Sequence, residues 1–234
     1  MKILLSIIKI FIEKMMAFFN FNMNYPGLRF ETRKIKKKYN TAASGITVIC
    51  IGDSNTFGWN NKYQSSYPVL LENKINTCGV KARVINCGIG GDTISDAVKR
   101  LESDVLFFKP AFAIINFGFN DAKLFKIKRN NNIKKKSNSL YLLNNDCYSS
   151  RTYREDFSYL FEKIIEKLQK SQIKVILAGL YKVNKIKTGI FYNGKKELVD
   201  LQNEVYKEYD DCIKDIALKN NTAFPAINHS IIIP

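Results

Sequence analysis

Ile46-Thr47-Val48-Ile49-Cys50-Ile51, followed at once by Gly52-Asp53-Ser54-Asn55, decides the reading of this chain. An apolar run rich in β-branched side chains predicts a buried strand. Gly-Asp-Ser at its carboxyl end predicts a tight turn that lifts a hydroxyl out of the sheet edge, where open α/β sheets bind their ligands. A serine there is a nucleophile only if other groups activate it and stabilise the oxyanion that follows. Otherwise a serine at a strand-to-helix turn is a helix cap.

Two further strand ends supply such groups. The run Arg83-Val84-Ile85-Asn86-Cys87 leads into Gly88-Ile89-Gly90-Gly91-Asp92-Thr93, and a glycine-rich turn lets backbone N–H groups point into a pocket without obstruction by a Cβ. The run from Ala111 to Phe117 ends in Gly118-Phe119-Asn120-Asp121, which offers a carboxamide N–H₂ beside the serine. Around these strands the pattern alternates. Helices are expected over 67–76, from the Thr93 N-cap to Leu106, over 154–171 and over 195–220, with further strands at 174–180 and 222–227. Residues 123–150 interrupt the alternation as a polar, basic insertion, expected to rim the site as a lid or to form a surface loop. Five strands with helical crossovers predict an α/β fold: a three-layer, flavodoxin-like parallel sheet.

Gly-Asp-Ser, the glycine after the second strand and Gly-x-Asn-Asp after the third resemble the first three blocks of the SGNH, or GDSL, hydrolase family. The stretches Thr56-Phe57-Gly58-Trp59 and Ser66-Tyr67-Pro68-Val69-Leu70-Leu71 also look like that family. The resemblance covers about residues 45–227. It implies an esterase or lipase-like hydrolase that works through an acyl-enzyme without metal or cofactor. By the same likeness Ser54 is the nucleophile, and the Ser54 and Gly91 N–H groups with the Asn120 side chain form the oxyanion hole. Substrates handled by such proteins are small-molecule, lipid or glycan esters and thioesters. The fourth block, Asp-x-x-His beyond the fifth strand, is not found. His229 is the only histidine, and three residues before it stands Ala226 rather than an acid. Either the block is lost by truncation or degeneration, or His229 serves with an acid from elsewhere; an inactive module of the same fold, held at a membrane or in an assembly, is the alternative function. Asp92 and Asp121 are expected to orient loops, and Trp59 and Tyr67 to be wall or core residues.

Composition agrees with one domain over 45–234 behind an extension at 1–44. The chain has 234 residues, 46% of them apolar, enough for a substantial core. Its five cysteines (50, 78, 87, 147 and 212) have neither metal-ligand nor disulfide spacing, and scattered thiols favour a reducing compartment. The formal charge of +16 comes from 37 basic residues, of which 30 are lysine; much of it reads as solvated surface. The clusters at 33–38 and 123–136 carry no nucleic-acid recognition motif, so no nucleic acid is expected as a partner. In the first 21 residues Lys2, Ser6, Lys9, Glu13 and Asn20 share one helical face, opposite Leu4, Ile8, Phe11 and Met15. That stripe fits neither a secretory signal nor a spanning helix. It fits a helix lying on an anionic membrane surface, as in a peripheral membrane protein, or one packed on the domain of a cytoplasmic protein.

Overall fold

The computed structural model describes residues 5–8, 45–58, 66–128, 139–181 and 196–225. At its centre β1 (Ile46–Gly52) pairs in parallel with β2 (Ala82–Gly88) on one side and β3 (Phe112–Asn116) on the other, and β3 pairs with β7 (Lys174–Leu177). The sheet order is therefore β2-β1-β3-β7. Parallel strands covered on both faces need apolar side chains on both, which is why these runs are nearly continuous rather than alternating.

Strand periodicity divides the core in two. Ile49, Ile51, Ile85 and Ile115 face one layer with α3 (Ile94–Asp104), α4 (Arg154–Lys170) and α5 (Lys196–Lys219); Val48, Cys50, Val84 and Ile114 face the other, with α2 (Tyr67–Thr77). Residues 5–8 complete this second layer. Ile8 is wholly buried there, Leu5 and Ile7 pack against it, and Ser6 is exposed. For these four residues, packing on the domain is the observed alternative; the rest of 1–44, with its basic cluster, lies outside the described residues. Among the described residues no helix is long and apolar enough to cross a membrane.

Two expectations change. Among the described residues the sheet has four strands rather than five: where the fifth was expected, a single parallel bridge joins Ile176 to Ala223, with Leu177 N–H donating to Ala223 O at 2.8 Å. The described parts of 123–150 are strands rather than a surface loop. β4 (Leu124–Ile127), β5 (Leu140–Leu143) and β6 (Asp146–Ser150) form a separate antiparallel sheet of order β4-β6-β5. Leu143 faces Asp146 across a two-residue turn, Asn144-Asn145, whose φ values of 48° and 66° are both left-handed. That is the conformation a tight hairpin demands and that asparagine tolerates. α5 holds this sheet to the body: the Gln202 carboxamide accepts from Leu124 N–H at 2.9 Å and donates to Ala122 O at 2.9 Å. Tyr209, also on α5, donates its hydroxyl to the Thr152 carbonyl.

Candidate active site

The register of the main sheet brings the three loops together. Gly52 stands opposite Gly88 on β2 and opposite Asn116 on β3, so β1, β2 and β3 end level at one edge. Glycine is obligatory at two of these ends. A Cβ on Gly52 would lie 2.0 Å from the Thr56 hydroxyl oxygen and 2.6 Å from Asn116 O, and one on Gly88 would lie 2.2 Å from Phe57 N. The turn after β1 thus folds directly over the end of β2.

That turn enters α1 (Ser54–Phe57), and its N-cap is Asp53, whose carboxylate accepts from Asn55 N–H at 2.8 Å. Ser54 is the first helical residue and is 5% exposed. Capping, the ordinary job of a serine at such a turn, is therefore done by its neighbour. Gly91, at φ 83°, lies exposed in the loop after β2. Asn120, in the loop after β3, donates from Nδ2 to Asp92 O at 3.0 Å and to Asp53 Oδ2 at 3.4 Å. One carboxamide therefore links the immediate neighbours of Ser54 and of Gly91. Asp121 orients its surroundings as expected. It accepts from Ile94 N–H, at the start of α3, at 3.1 Å and from the Thr152 hydroxyl at 2.7 Å.

Two participants were missed from sequence. Arg100 on α3 has a side chain only 12% exposed. Its guanidinium donates to Asp92 (2.8 Å), Asp104 (2.8 Å), Cys87 O (2.7 Å) and Gly52 O (2.9 Å). It ties the ends of β1 and β2 to the Gly91-Asp92 loop. Tyr181, just past β7, donates to Asn55 Oδ1 at 3.0 Å, while Asn55 Nδ2 donates to Asp53 at 3.1 Å. The spacing Asp92-x₇-Arg100-x₃-Asp104 was the only signal for the first, since it puts the arginine one and two turns from an acid. Tyr67 is a buried core residue, as expected, and its hydroxyl lies 3.3 Å from that of Thr56. Trp59 and His229 lie outside the described residues.

Burial dominates the electrostatics. Loss of water raises the Asp53 carboxyl to about 7 despite the Asn55 hydrogen bonds, and the charges of Asp121 and Asp92 push the same way. Burial also raises Asp121 to about 6, against the Thr152 hydroxyl, the Ile94 N–H and Arg151. Among the described residues no three His, Cys, Asp or Glu side chains converge as a metal site.

Gly-Asp-Ser, Gly-Gly-Asp and Asn-Asp loops at one edge of a parallel α/β sheet are the layout of the SGNH-hydrolase class. Residues 50–232 match the model of the GDSL-like Lipase/Acylhydrolase family, and the chain belongs to that family. Over 81 residues it is 41% identical to a Bacillus subtilis protein named uncharacterized lipoprotein YqeF, covering 33% of this chain and 32% of that one. Over 80 residues it is 30% identical to thioesterase 1/protease 1/lysophospholipase L1 of Escherichia coli K12, covering 34% and 37%. These matches span about a third of the length of those curated relatives. Among solved structures, the acetyl xylan esterase AlAXEase is 26% identical with a TM-score of 0.54 over 76% of each chain. The SGNH-hydrolase family esterase AlinE4 is 19% identical with a TM-score of 0.54 over 83% and 85%, a likeness of fold alone.

Proposed function

We propose that this protein hydrolyses small-molecule esters through an acyl-enzyme formed on Ser54. The observation that carries the proposal is the level register of Gly52, Gly88 and Asn116, which sets the loops bearing Ser54, Gly91 and Asn120 at one edge. Ser54 Oγ attacks the ester carbonyl, and the oxyanion is received by the Ser54 and Gly91 N–H groups and by Asn120 Nδ2–H. Asn120 is already oriented by Asp92 O; its longer bond, to Asp53 at 3.4 Å, is the one that yields to the oxyanion. The alcohol leaves, and water releases the acid.

A serine-directed fluorophosphonate should label Ser54 and leave Ser54→Ala unlabelled. Asn120→Ala should lower kcat for p-nitrophenyl acetate by roughly 10²–10³. Labelling that survives in Ser54→Ala, or an unchanged rate without Asn120, refutes the proposal. The proton of Ser54 needs a base, and His229 has no acid three residues before it. His229→Ala should lose several orders of magnitude if the histidine completes a triad. It should keep its rate, on the order of 10³–10⁴ over water, if the oxyanion hole and binding act alone.

A further inference from the structure

The small sheet β4-β6-β5 sets two cations opposite each other, one of which reaches the Gly91 loop of the candidate site. Arg151, directly after β6, donates from Nη1 to Gly91 O at 2.8 Å, and its backbone N–H donates to Lys123 O at 3.1 Å. The two residues are thereby fixed side by side next to the Gly91 loop. Arg151 and Gly91 are exposed, whereas Lys123 is half-buried. Three other cations of this sheet and the adjoining helices have acids: Lys126 pairs with Asp146 at 2.8 Å, Arg154 with Glu208 at 3.0 Å and Lys214 with Asp210 at 2.7 Å. Lys123 and Arg151 pair with no described carboxylate. Lys123 Nζ lies 5.9 Å from the Phe125 ring centre. Asp121 feels the charge of Arg151, but its oxygens accept from Ile94 N–H and the Thr152 hydroxyl.

Such a pair is unfavourable in the free protein. Burial, and then the Arg151 charge, hold the Lys123 ammonium below its usual range. A guanidinium carries five N–H donors in a planar fork, and one nitrogen is anchored to Gly91. The remaining donors suit bidentate contact with an oxyacid, and Lys123 adds a second charge. We infer that Arg151 and Lys123 form an anion subsite beside the Gly91 loop, so that the preferred ester carries a carboxylate or phosphate group close to its reacting carbonyl. The ester part of this inference rests on the proposed hydrolase activity; the anion site does not.

The test compares mono-4-nitrophenyl succinate with 4-nitrophenyl butyrate, esters of similar length that differ in terminal charge. The kcat/KM ratio, anionic over neutral, should fall about ten- to a hundredfold in Arg151→Gln or Lys123→Gln, in line with loss of a charged hydrogen-bonding partner. It should be partly restored in Arg151→Lys and should shrink with added salt. In parallel, calorimetry on the full chain should find succinate or inorganic phosphate bound at low salt and weakened about tenfold in each Gln variant. The tighter anion identifies the group the subsite takes. An unchanged ratio, or equal losses on both esters, overturns the inference while leaving the hydrolase standing. If the wild type cleaves neither ester and Ser54 does not label, the hydrolase reading falls. Calorimetry then decides the anion site, and equal binding by wild type and variants overturns it.

Discussion

Asp53→Asn tests the electrostatics beneath the serine. The carboxyl is wholly buried, accepts from Asn55 N–H, Asn55 Nδ2 and Asn120 Nδ2, and is raised from 3.8 to about 7, chiefly by loss of water. An acid whose folded pKa is raised is favoured when protonated. Its stability is fully present below about pH 4 and is lost as pH rises through about 7. A displacement from 3.8 to about 7 corresponds to about 4 kcal/mol, at 1.36 kcal/mol per pH unit. Asparagine preserves the shape and caps helices well, but its N–H₂ meets the Asn120 donor, a constant cost of about 1–3 kcal/mol. The stability of wild type minus variant should therefore fall by up to about 4 kcal/mol between pH 4 and pH 8. On balance the variant should be more stable at pH 8. Urea unfolding of both proteins at four or five pH values measures this difference independently of the constant cost. Asp121 titrates in the same region and is coupled to Asp53, so the midpoint of the change belongs to the pair. A difference flat to within about 0.5 kcal/mol over this range would refute the reasoning.

Arg100→Ala removes four hydrogen bonds and leaves Asp92 and Asp104 buried without their cation; a loss of about 3–5 kcal/mol is expected in urea melts. Arg100→Lys should recover only part of it, since an ammonium cannot span both strand ends. Ile8→Ala should cost about 2–4 kcal/mol, as for other fully buried isoleucines. A Tm within a degree of wild type would mean that residues 5–8 do not cover the sheet.

Much of the main layer was legible because its physics is local. Fully buried parallel strands must be apolar on both faces, so β1, β2, β3 and β7 stand out as runs, and β1 and β2 end in glycines where a Cβ would not fit. The small sheet was hidden for the opposite reason. β4 and β5 are four residues long and half-exposed, and they sit in lysine-rich sequence. Their one sharp signal was Asn144-Asn145, a pair suited to two successive left-handed residues. Arg100 was less legible still, because an arginine on an amphipathic helix reads as solvated and its carbonyl partner Gly52 is 48 residues away.

The same contrast governs the serine. Either Ser54 or Asp53 has a side chain able to cap the helix that begins there. A shift of one residue in the helix start decides between them: with Asp53 as cap, its carboxylate is drawn under the turn toward Asn55, and Ser54 becomes the first helical residue. The acid is then too deeply buried to ionise at its ordinary pH. Asn120, Tyr181 and Asn55 are the groups that make its burial tolerable. Two of the three loops at this edge are joined through Asp53, and Arg100 and Arg151 anchor the third. A net charge of +16 foretells none of this. What matters at the site is that the buried acids Asp92 and Asp104 have an arginine, while Arg151 and Lys123 form no ion pair with a described acid.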